Sequence, residues 1–289
     1  MPEVETIRRQ LQSYIGDKTI KSVEVRYPKV VHDMSTADFA RTLVGRKVRE
    51  VGRQGKLILI RLSGEETLVV HLKMTGRLLL QPPRHPERAK RVEGSHTNKS
   101  TEVVFMFTDG VILCYDDMRR FGYMKVVPTS EEARVVQKEQ LGIDFFDRAH
   151  TMQKFKELIR SRGGLRIKPL LLDQSLISGV GNIYAQEACF MARISPLRKA
   201  GALSEKELRA LYQALRGVML RAIKYGGTSA DDYRDAFGRM GKFAARLKVY
   251  GREGKPCPRC KIKLVKKSIG GRGTVFCRKC QFLDVSVKR

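Results

Sequence analysis

The sequence lacks any long apolar run, and it lacks the apolar start of a secretory signal peptide. The first absence argues against a membrane-spanning helix, which needs about 20 predominantly apolar residues. The first ten residues contain two glutamates and two arginines, a composition that does not fit a signal peptide. Internal repeats and low-complexity tracts are absent as well, so no repeat architecture is indicated.

Acidic residues are scarce: the 289 residues include 30 Asp and Glu against 57 Lys and Arg, a formal net charge of +27. So basic a chain usually binds a polyanion, because contacts with phosphates release condensed counterions. Nucleic acid is the first expectation, and an anionic membrane surface is the alternative. A hydrophobic content of 42% indicates a folded protein with two or three domains. We expect a soluble monomer in the cytoplasm, associated with the nucleoid.

Six cysteines are present, and four of them form two pairs, Cys-Pro-Arg-Cys and Cys-Arg-Lys-Cys, separated by sixteen residues. Four thiolates at this spacing predict one structural zinc ion in a closed tetrahedral site. A purely structural staple is the alternative to a nucleic-acid contact, and the two roles are compatible. Cys114 and Cys189 lie in apolar stretches and are expected to be buried thiols outside any disulfide framework. The zinc ligands would be Cys257, Cys260, Cys277 and Cys280.

The residues between the cysteine pairs predict a β-hairpin, with strands at 261–265 and 274–276. Its tip would be Gly270-Gly271-Arg272-Gly273, which places Arg272 where a hairpin finger presents a side chain. A further strand at 247–250 is predicted to lead into this ribbon.

Before the cysteine pairs, the spacing of apolar residues indicates an initial helix, then a series of strands, and then further helices. Val4, Ile7, Leu11 and Ile15 recur at helical spacing after Pro2, so the chain is predicted to begin with a helix. A β-sandwich or barrel would follow, with a long surface loop over 81–100, which holds three prolines. Its short strands are predicted at 20–27, 56–62, 67–72, 103–107 and 111–115.

Past Pro128 the pattern becomes helical. Residues 151–162 predict one helix, and a capping box of Ser204 and Glu207 opens another that runs to Tyr225. Residues 228–243 are polar and Gly-punctuated, which predicts a mobile loop. The predicted fold class is therefore α+β and multi-domain. It has a helix and β-sandwich domain in 1–130, a helical domain in 131–245 and a zinc-finger domain in 246–289.

Pro2 follows the initiator methionine, and removal of Met1 would leave a secondary amine at the N-terminus. An α-amino group has a reference pKa of about 8, and the positive end of a helix lowers it, so the amine could attack an aldehyde carbon and form an iminium. Glu3 and Glu5 could transfer protons beside this amine, or could simply complement the helix dipole. The plainer alternative for Pro2 is that it only begins the helix.

A set of short motifs runs in order along essentially the whole chain and resembles the formamidopyrimidine-DNA glycosylase family, whose kin include endonuclease VIII-like enzymes. Each motif alone is weak, but their joint order is specific. Besides the cysteine ribbon the motifs are Pro2-Glu3-Val4-Glu5-Thr6, Gly55-Lys56, His71-Leu72-Lys73-Met74-Thr75-Gly76-Arg77, Asp117-Met118-Arg119-Arg120-Phe121-Gly122, Ile167-Lys168-Pro169-Leu170, Leu172-Asp173-Gln174, Gly179-Val180-Gly181-Asn182-Ile183-Tyr184-Ala185 and Val249-Tyr250-Gly251-Arg252-Glu253-Gly254.

The resemblance implies a base-excision-repair DNA glycosylase with AP lyase activity. Such an enzyme removes oxidised purines of the formamidopyrimidine and 8-oxoguanine type through a Schiff base, and nicks the strand by β,δ-elimination. It places the nucleophile on Pro2 and proton transfer on Glu3 and Lys56. Arg272 falls on the zinc-finger arginine that clamps phosphate and assists δ-elimination. The implied partner is double-stranded DNA containing oxidised bases or abasic sites.

The resemblance also implies how the DNA is held. Met74, Arg119 and Phe121 resemble the residues that fill the hole left by the everted lesion, although two core residues and a surface arginine are the alternative. Lys168 and Asn182 would contact phosphate, Asn182 within a helix-two-turn-helix hinge, where it could equally be the N-cap of the next helix. Residues 228–243 correspond to the loop that closes over the damaged base.

The sequence departs from the family pattern at its start. The family opens Met-Pro-Glu-Leu-Pro-Glu-Val-Glu, whereas this chain opens Met-Pro-Glu-Val-Glu, so a gapless alignment puts Pro2 and Glu3 on the second Pro-Glu. We expect the chain as written to trap abasic DNA poorly, and an added Met-Pro-Glu to restore trapping.

Two more departures concern the DNA-facing side. The family's Lys-His-x-His is Lys99-Ser100-Thr101-Glu102 here, which removes a DNA-facing histidine and is expected to introduce a repulsive carboxylate, with His96 as the candidate substitute. Met118 replaces the proline of Asp-Pro-Arg-Arg-Phe and is expected to loosen that turn. Two other functions stay open: an oxidised-pyrimidine glycosylase of the same superfamily, and a catalytically impaired protein that binds damaged DNA.

Overall fold

The structure is a computed structural model that describes residues 1–83, 98–147, 149–229 and 233–282. The chain forms two compact units. The strand unit comprises residues 2–139 and 225–242, and the helical unit comprises Met1 with residues 140–224 and 243–289. Most of the predicted loop at 81–100, including His96, lies outside the described residues.

The strand unit begins with helix α1 (Pro2–Ile15) and contains two four-stranded antiparallel sheets. One sheet has the order β1 (Ile20–Val25), β6 (Thr101–Phe107), β7 (Ile112–Asp117) and β5 (Gly76–Gln81). The other has the order β2 (Val48–Gln54), β3 (Leu57–Leu62), β4 (Glu66–His71) and β8 (Tyr123–Pro128). Helices α2 (Thr36–Leu43) and α3 (Glu132–Lys138) complete the unit.

One apolar core joins these elements. Leu11 of α1, Phe39 of α2, Ile58 of β3 and Phe105 of β6 are all buried in the same cluster. The two sheets therefore share an interior, and the predicted β-sandwich with a leading helix is confirmed. Alternating apolar residues produce this arrangement because successive strand side chains point to opposite faces.

The helical unit contains two short strands, β9 (Ile143–Asp144) and β10 (Ile177–Ser178), which pair in parallel. Its helices are α4 (Met152–Ser161), α5 (Ile167–Leu172), α6 (Asn182–Met191) and α7 (Glu205–Lys224). The capping box is confirmed, because the Glu207 backbone amide donates to Ser204 Oγ and the Ser204 amide donates to Glu207 Oε2. None of the helices in the described part of the chain is long and apolar enough to cross a membrane.

The same unit carries the cysteine ribbon, whose hairpin pairs β11 (Val265–Ile269) with β12 (Arg272–Phe276). The first strand was predicted too early, since the chain at 261–263 is irregular and Lys261 has a φ of 66°. The predicted strand at 247–250 is wrong. There the backbone amides of Lys248, Val249 and Tyr250 all donate to the Glu187 carboxylate, which replaces ladder hydrogen bonds.

Candidate active site and nucleic-acid interface

The candidate nucleophile lies at the very start of α1. Pro2 is the first helical residue and is buried, and Met1 is only 4% exposed. The Glu3 carboxylate accepts a hydrogen bond from the Thr228 amide at 3.1 Å, and the Tyr233 hydroxyl donates to the Glu3 carbonyl at 3.5 Å. The start of α1 is therefore tied to the segment 225–242, part of which was predicted to be a mobile loop. Pro2 and Glu3 stay the predicted catalytic pair.

Glu5, the second acidic residue of the first turn, is fully engaged. Burial raises its pKa, but hydrogen bonds from Arg8, Arg9 and Arg53 outweigh that effect and lower the pKa to about 2. The Arg53 side chain is only 6% exposed and lies 3.0 Å from Glu5 Oε2. A carboxylate this firmly ionised is a poor proton donor at neutral pH. Its role is to anchor α1 to β2.

Lys56 occupies the turn between β2 and β3 rather than a strand. Gly55 precedes it with a φ of 57°, a backbone conformation that glycine adopts without steric cost. Lys56 is half-buried. The tight turn fixes the position of the lysine backbone, and its role in proton transfer stays a prediction.

Two turns carry the predicted wedge. Met74 is 70% exposed and Phe121 is 57% exposed, so the alternative that both are core residues is wrong. Arg119 is exposed and its guanidinium lies 4.8 Å from the Phe121 ring centroid. Exposed large apolar side chains beside a cation are typical of groups that insert into DNA.

Asp117 holds these two turns together, a role that the sequence did not indicate. Its carboxylate accepts hydrogen bonds from the amides of Arg119, Phe121 and Gly122 at 2.8–3.1 Å and from the Thr75 hydroxyl. Thr75 Oγ1 also accepts from the Arg119 amide at 3.1 Å. Asp117 thus restrains the turn that contains Met118, and the expectation that Met118 loosens this turn stays a prediction.

The predicted repulsive carboxylate is not on the surface. Glu102 is 1% exposed on β6, so the expectation of a DNA-facing charge there is wrong. Strand alternation alone does not explain this burial: Thr101 and Val103 on the opposite face are buried as well, so both faces of β6 are covered at its start.

Lys168, on α5, is a buried cation. It is 0% exposed, and its Nζ has no hydrogen-bond partner among the described residues. Burial lowers its pKa to about 8, and the positive charge of Arg272 contributes in the same direction. Two cations that repel each other create a local site for an anion.

Asn182 is the first residue of α6, and Gly181 is the N-cap, so the expectation that Asn182 caps this helix is wrong. Its amide nitrogen lies 3.4 Å from the Gly273 carbonyl, while its side-chain oxygen is buried without a partner in the described structure. Gln186, one turn later, donates to the Gly273 carbonyl and accepts from the Val275 amide at 2.7 Å. The sequence offered no signal for this link between α6 and the hairpin that presents the exposed Arg272.

The four ribbon cysteines meet at one point. Their sulfur atoms lie within 4.8 Å of one another, with Cys260 and Cys277 3.4 Å apart and Cys257 and Cys280 3.9 Å apart. Tetrahedral zinc with a Zn–S bond of about 2.3 Å requires sulfur separations of about 3.8 Å. The residues fit one structural zinc ion, and all four positions would be filled by protein ligands.

Comparisons with known proteins agree with this arrangement. Three family models match: the formamidopyrimidine-DNA glycosylase N-terminal domain over residues 1–124, its H2TH domain over 141–234, and the zinc finger found in FPG and IleRS over 254–281. Formamidopyrimidine-DNA glycosylases from Pelotomaculum thermopropionicum and Heliobacterium modesticaldum are each 41% identical over 97% of this chain, and this match covers 98% and 99% of their own lengths.

Solved structures show the same fold. The Lactococcus lactis Fpg bound to abasic-site DNA superposes with a TM-score of 0.85 at 30% identity, covering 97% of this chain and 98% of that one. The MutM (FPG) protein of Thermus thermophilus superposes with a TM-score of 0.81 at 37% identity, with the same coverage. Fold, zinc site and relatives together define a DNA glycosylase of base-excision repair. The chain belongs to the formamidopyrimidine-DNA glycosylase family.

Proposed function

We propose that this glycosylase removes oxidised purines of the formamidopyrimidine and 8-oxoguanine type from double-stranded DNA, and then cleaves the strand as an AP lyase. The observation that carries the proposal is the wedge. Met74 and Phe121 are exposed beside Arg119, on two turns that Asp117 joins. Exposure of large apolar side chains to water is unfavourable, so their presence at the surface fits a protein that inserts them where a base has left the DNA stack.

The chemistry uses the amine of an N-terminal proline, which is Pro2 once Met1 is removed. Its nitrogen attacks C1′ of the damaged nucleoside, the glycosidic bond breaks, and the base leaves with a proton. The proline nitrogen loses its proton, and its electron pair then forms the C=N bond of an iminium as the C1′–O4′ bond breaks and O4′ takes up a proton. The iminium acidifies the 2′ hydrogen, so loss of that proton expels the 3′ phosphate, and a second elimination expels the 5′ phosphate. Glu3 and Lys56 transfer the protons, and Arg272 neutralises the phosphate that leaves.

DNA binding is proposed to rest mainly on the helical unit. Lys168, Asn182 and Arg272 would hold phosphates. Lys168 offers a buried ammonium without a hydrogen-bond partner among the described residues, Asn182 lies at the start of α6, and Arg272 is exposed at the end of the hairpin. The net charge of +27 supports a large electrostatic contribution to affinity. We place the protein in the cytoplasm at the nucleoid, acting as a monomer with domains at 1–130, 131–245 and 246–289.

Two alternatives have specific support. A structure of the L. lactis protein holds DNA with an oxidised pyrimidine, which favours the same chemistry on a different lesion class. Burial of Pro2 at a helix start, with the Glu3 carboxylate bonded to Thr228, favours a catalytically impaired protein that binds damaged DNA.

Single-turnover excision assays separate these three functions. Duplexes with 8-oxoguanine, a formamidopyrimidine or an oxidised pyrimidine would be analysed with and without hot alkali, which reveals abasic sites that the lyase step left intact. We expect the purine lesions to be excised faster than the pyrimidine lesion, with strand cleavage already present before alkali, and we expect all of these rates to be low until Met-Pro-Glu is added ahead of the chain. Faster pyrimidine excision would establish the first alternative, and tight binding without excision of any lesion would establish the second.

A further inference from the structure

A buried carboxylate without hydrogen-bond partners lies next to the wedge turn. Glu102 is on β6, and both of its side-chain oxygens are buried and without a hydrogen-bond partner among the described residues. Its backbone carbonyl is occupied, since it accepts from the amides of Arg26 and Tyr27 at 2.7 and 3.3 Å. The unpaired atoms are therefore those of the carboxylate.

One cation from the wedge turn reaches Glu102. Arg120 Nε lies 3.7 Å from Glu102 Oε1, and the Arg120 guanidinium lies 4.4 Å from the Tyr27 ring centroid. Arg120 stands between Arg119 and Phe121 in sequence and has a φ of 56°, a left-handed conformation that is strained for a side chain of this size. Its contacts with Glu102 and Tyr27 offset that strain.

The other groups that face Glu102 are acidic and come from β7 and its end. They are Asp116, Asp117 and the hydroxyl of Tyr115, whose own pKa is raised by burial and by the carboxylates of Asp117 and Glu102. Asp117 is saturated by four donors, and Asp116 accepts from Thr101 and Asn98. Burial, Asp117 and Asp116 raise the pKa of Glu102 to about 7 in spite of Arg120.

We propose that ionised Glu102 is a positioning residue for the wedge, acting through Arg120 to fix the direction in which Arg119 and Phe121 project. The inference rests on the proposed function, because it presumes that the wedge enters DNA. It gives Glu102 a role other than the repulsive one expected from its place in the departure from the family's Lys-His-x-His.

The proposal carries a cost in stability. The pKa of Glu102 is higher in the folded chain than its ordinary value of 4.5, so its contribution to stability is complete below that value and is lost as the pH rises through about 7. Glu102→Gln removes a charge that the fold holds poorly and keeps the shape of the side chain. We therefore expect this variant to be more stable than the parent protein at pH 8 and little changed at pH 5.5.

The experiment compares the parent protein, Glu102→Gln, Arg120→Gln and the double variant. Glu24→Gln is the matched control, because Glu24 is an exposed strand carboxylate that pairs with Arg26 at 2.8 Å. Wedge insertion would be followed from pH 6 to 8.5 by fluorescence of 2-aminopurine placed beside a non-cleavable abasic analogue. Thermal unfolding would be followed at pH 5.5 and 8, and lesion excision in parallel.

In the parent protein we expect the rate of insertion to rise about two- to fivefold as the pH increases, with the midpoint near pH 7. A fold-change of this size matches the free energy of a partly exposed ion pair. Glu102→Gln and Arg120→Gln should each give a flat, slow profile, and the double variant should be no slower than either. Glu24→Gln should follow the parent.

A parent-like pH limb in Glu102→Gln would overturn the proposal, and so would a loss of stability at pH 8 that accompanies slower insertion, since that pairing means ordinary structural damage. Failure of the parent to excise any lesion would count against the proposed function instead, because the fluorescence signal needs no chemistry.

Discussion

Glu5 and Glu102 are both buried carboxylates of the strand unit, 8% and 1% exposed. Their pKa values nevertheless shift in opposite directions from that of an ordinary glutamate. Three arginines hydrogen-bond to Glu5 and lower its pKa to about 2, whereas Glu102 has no hydrogen-bond partner for its carboxylate among the described residues and its pKa is raised to about 7. Because burial is common to both, the number of partners decides the difference. The first residue anchors α1 to β2, and the second lies beside the turn that we propose enters DNA.

The helical unit repeats the contrast. The Glu187 carboxylate accepts three backbone amides and fixes the chain at 248–250, while Lys168 is fully buried without a hydrogen-bond partner in the described residues. A buried charge without a hydrogen-bond partner destabilises the fold, so such charges are found mainly at sites where a bound ligand supplies the partner.

The largest effect is expected at the zinc site, where a metal supplies the missing partner. Cys260→Ser, or removal of zinc by a chelator, should unfold the ribbon, because structural zinc contributes about 10–16 kcal/mol to small metal-dependent folds. DNA affinity should collapse with it, since Arg272 loses its hairpin. Metal analysis and a binding titration check this. Purified protein without zinc, or full DNA binding by Cys260→Ser, would contradict it.

Glu5→Gln should be the next largest change. It removes the carboxylate that pairs with the buried Arg53 guanidinium and with Arg8 and Arg9, so the free energy of unfolding should fall by about 3–5 kcal/mol. The parent should also lose stability in acid. The ionised Glu5 carboxylate makes its full contribution above pH 4.5, and this contribution is lost as the pH falls towards 2, because the folded state lowers the pKa of Glu5. Urea unfolding measures both, with Glu24→Gln as the control. If Glu5→Gln lowered the free energy of unfolding by less than about 1 kcal/mol, the hydrogen bonds from the three arginines would not explain the role of Glu5 in stability.

The smallest effects are expected for Lys168→Met, for which stability and DNA affinity should change in different directions. Removing an unpaired buried cation should leave the helical unit as stable or more stable, while DNA affinity falls about tenfold or more through loss of a charge-assisted contact. The control is Lys154→Met, an exposed lysine on α4. Unfolding curves and a salt titration of binding decide it. Reduced stability with unchanged affinity would make Lys168 a structural residue.

Local signals in the sequence predicted much of this fold. The cysteine spacing, the capping box and the alternation of the strands each specify a structure within a few residues, and all were confirmed. The strand expected at 247–250 was wrong because its amides bond to Glu187, about 60 residues away. No local pattern can report such a partner.

The site shows the same limit. The motifs pointed to Met74 and Phe121, but only the structure shows that these side chains are exposed. Asp117 begins one of the family motifs, but the sequence indicated no role for it, because its four donors come from two separate turns. Glu102 was expected at the surface, because the sequence alone does not show that both faces of β6 are covered at its start.

The central claim is that an N-terminal proline amine performs the chemistry, and borohydride trapping of abasic DNA tests it most directly. Pro2 is helical and buried, so we expect the chain as written to trap poorly, and a chain extended by Met-Pro-Glu to trap well through its new proline. Three extended residues span about 10 Å, enough to carry that amine clear of the helix. Replacing the new proline by glycine should reduce trapping again. Efficient trapping by the unextended chain that Pro2→Gly abolishes would show that Pro2 reacts where it stands, and no trapping by either chain would contradict the amine mechanism altogether.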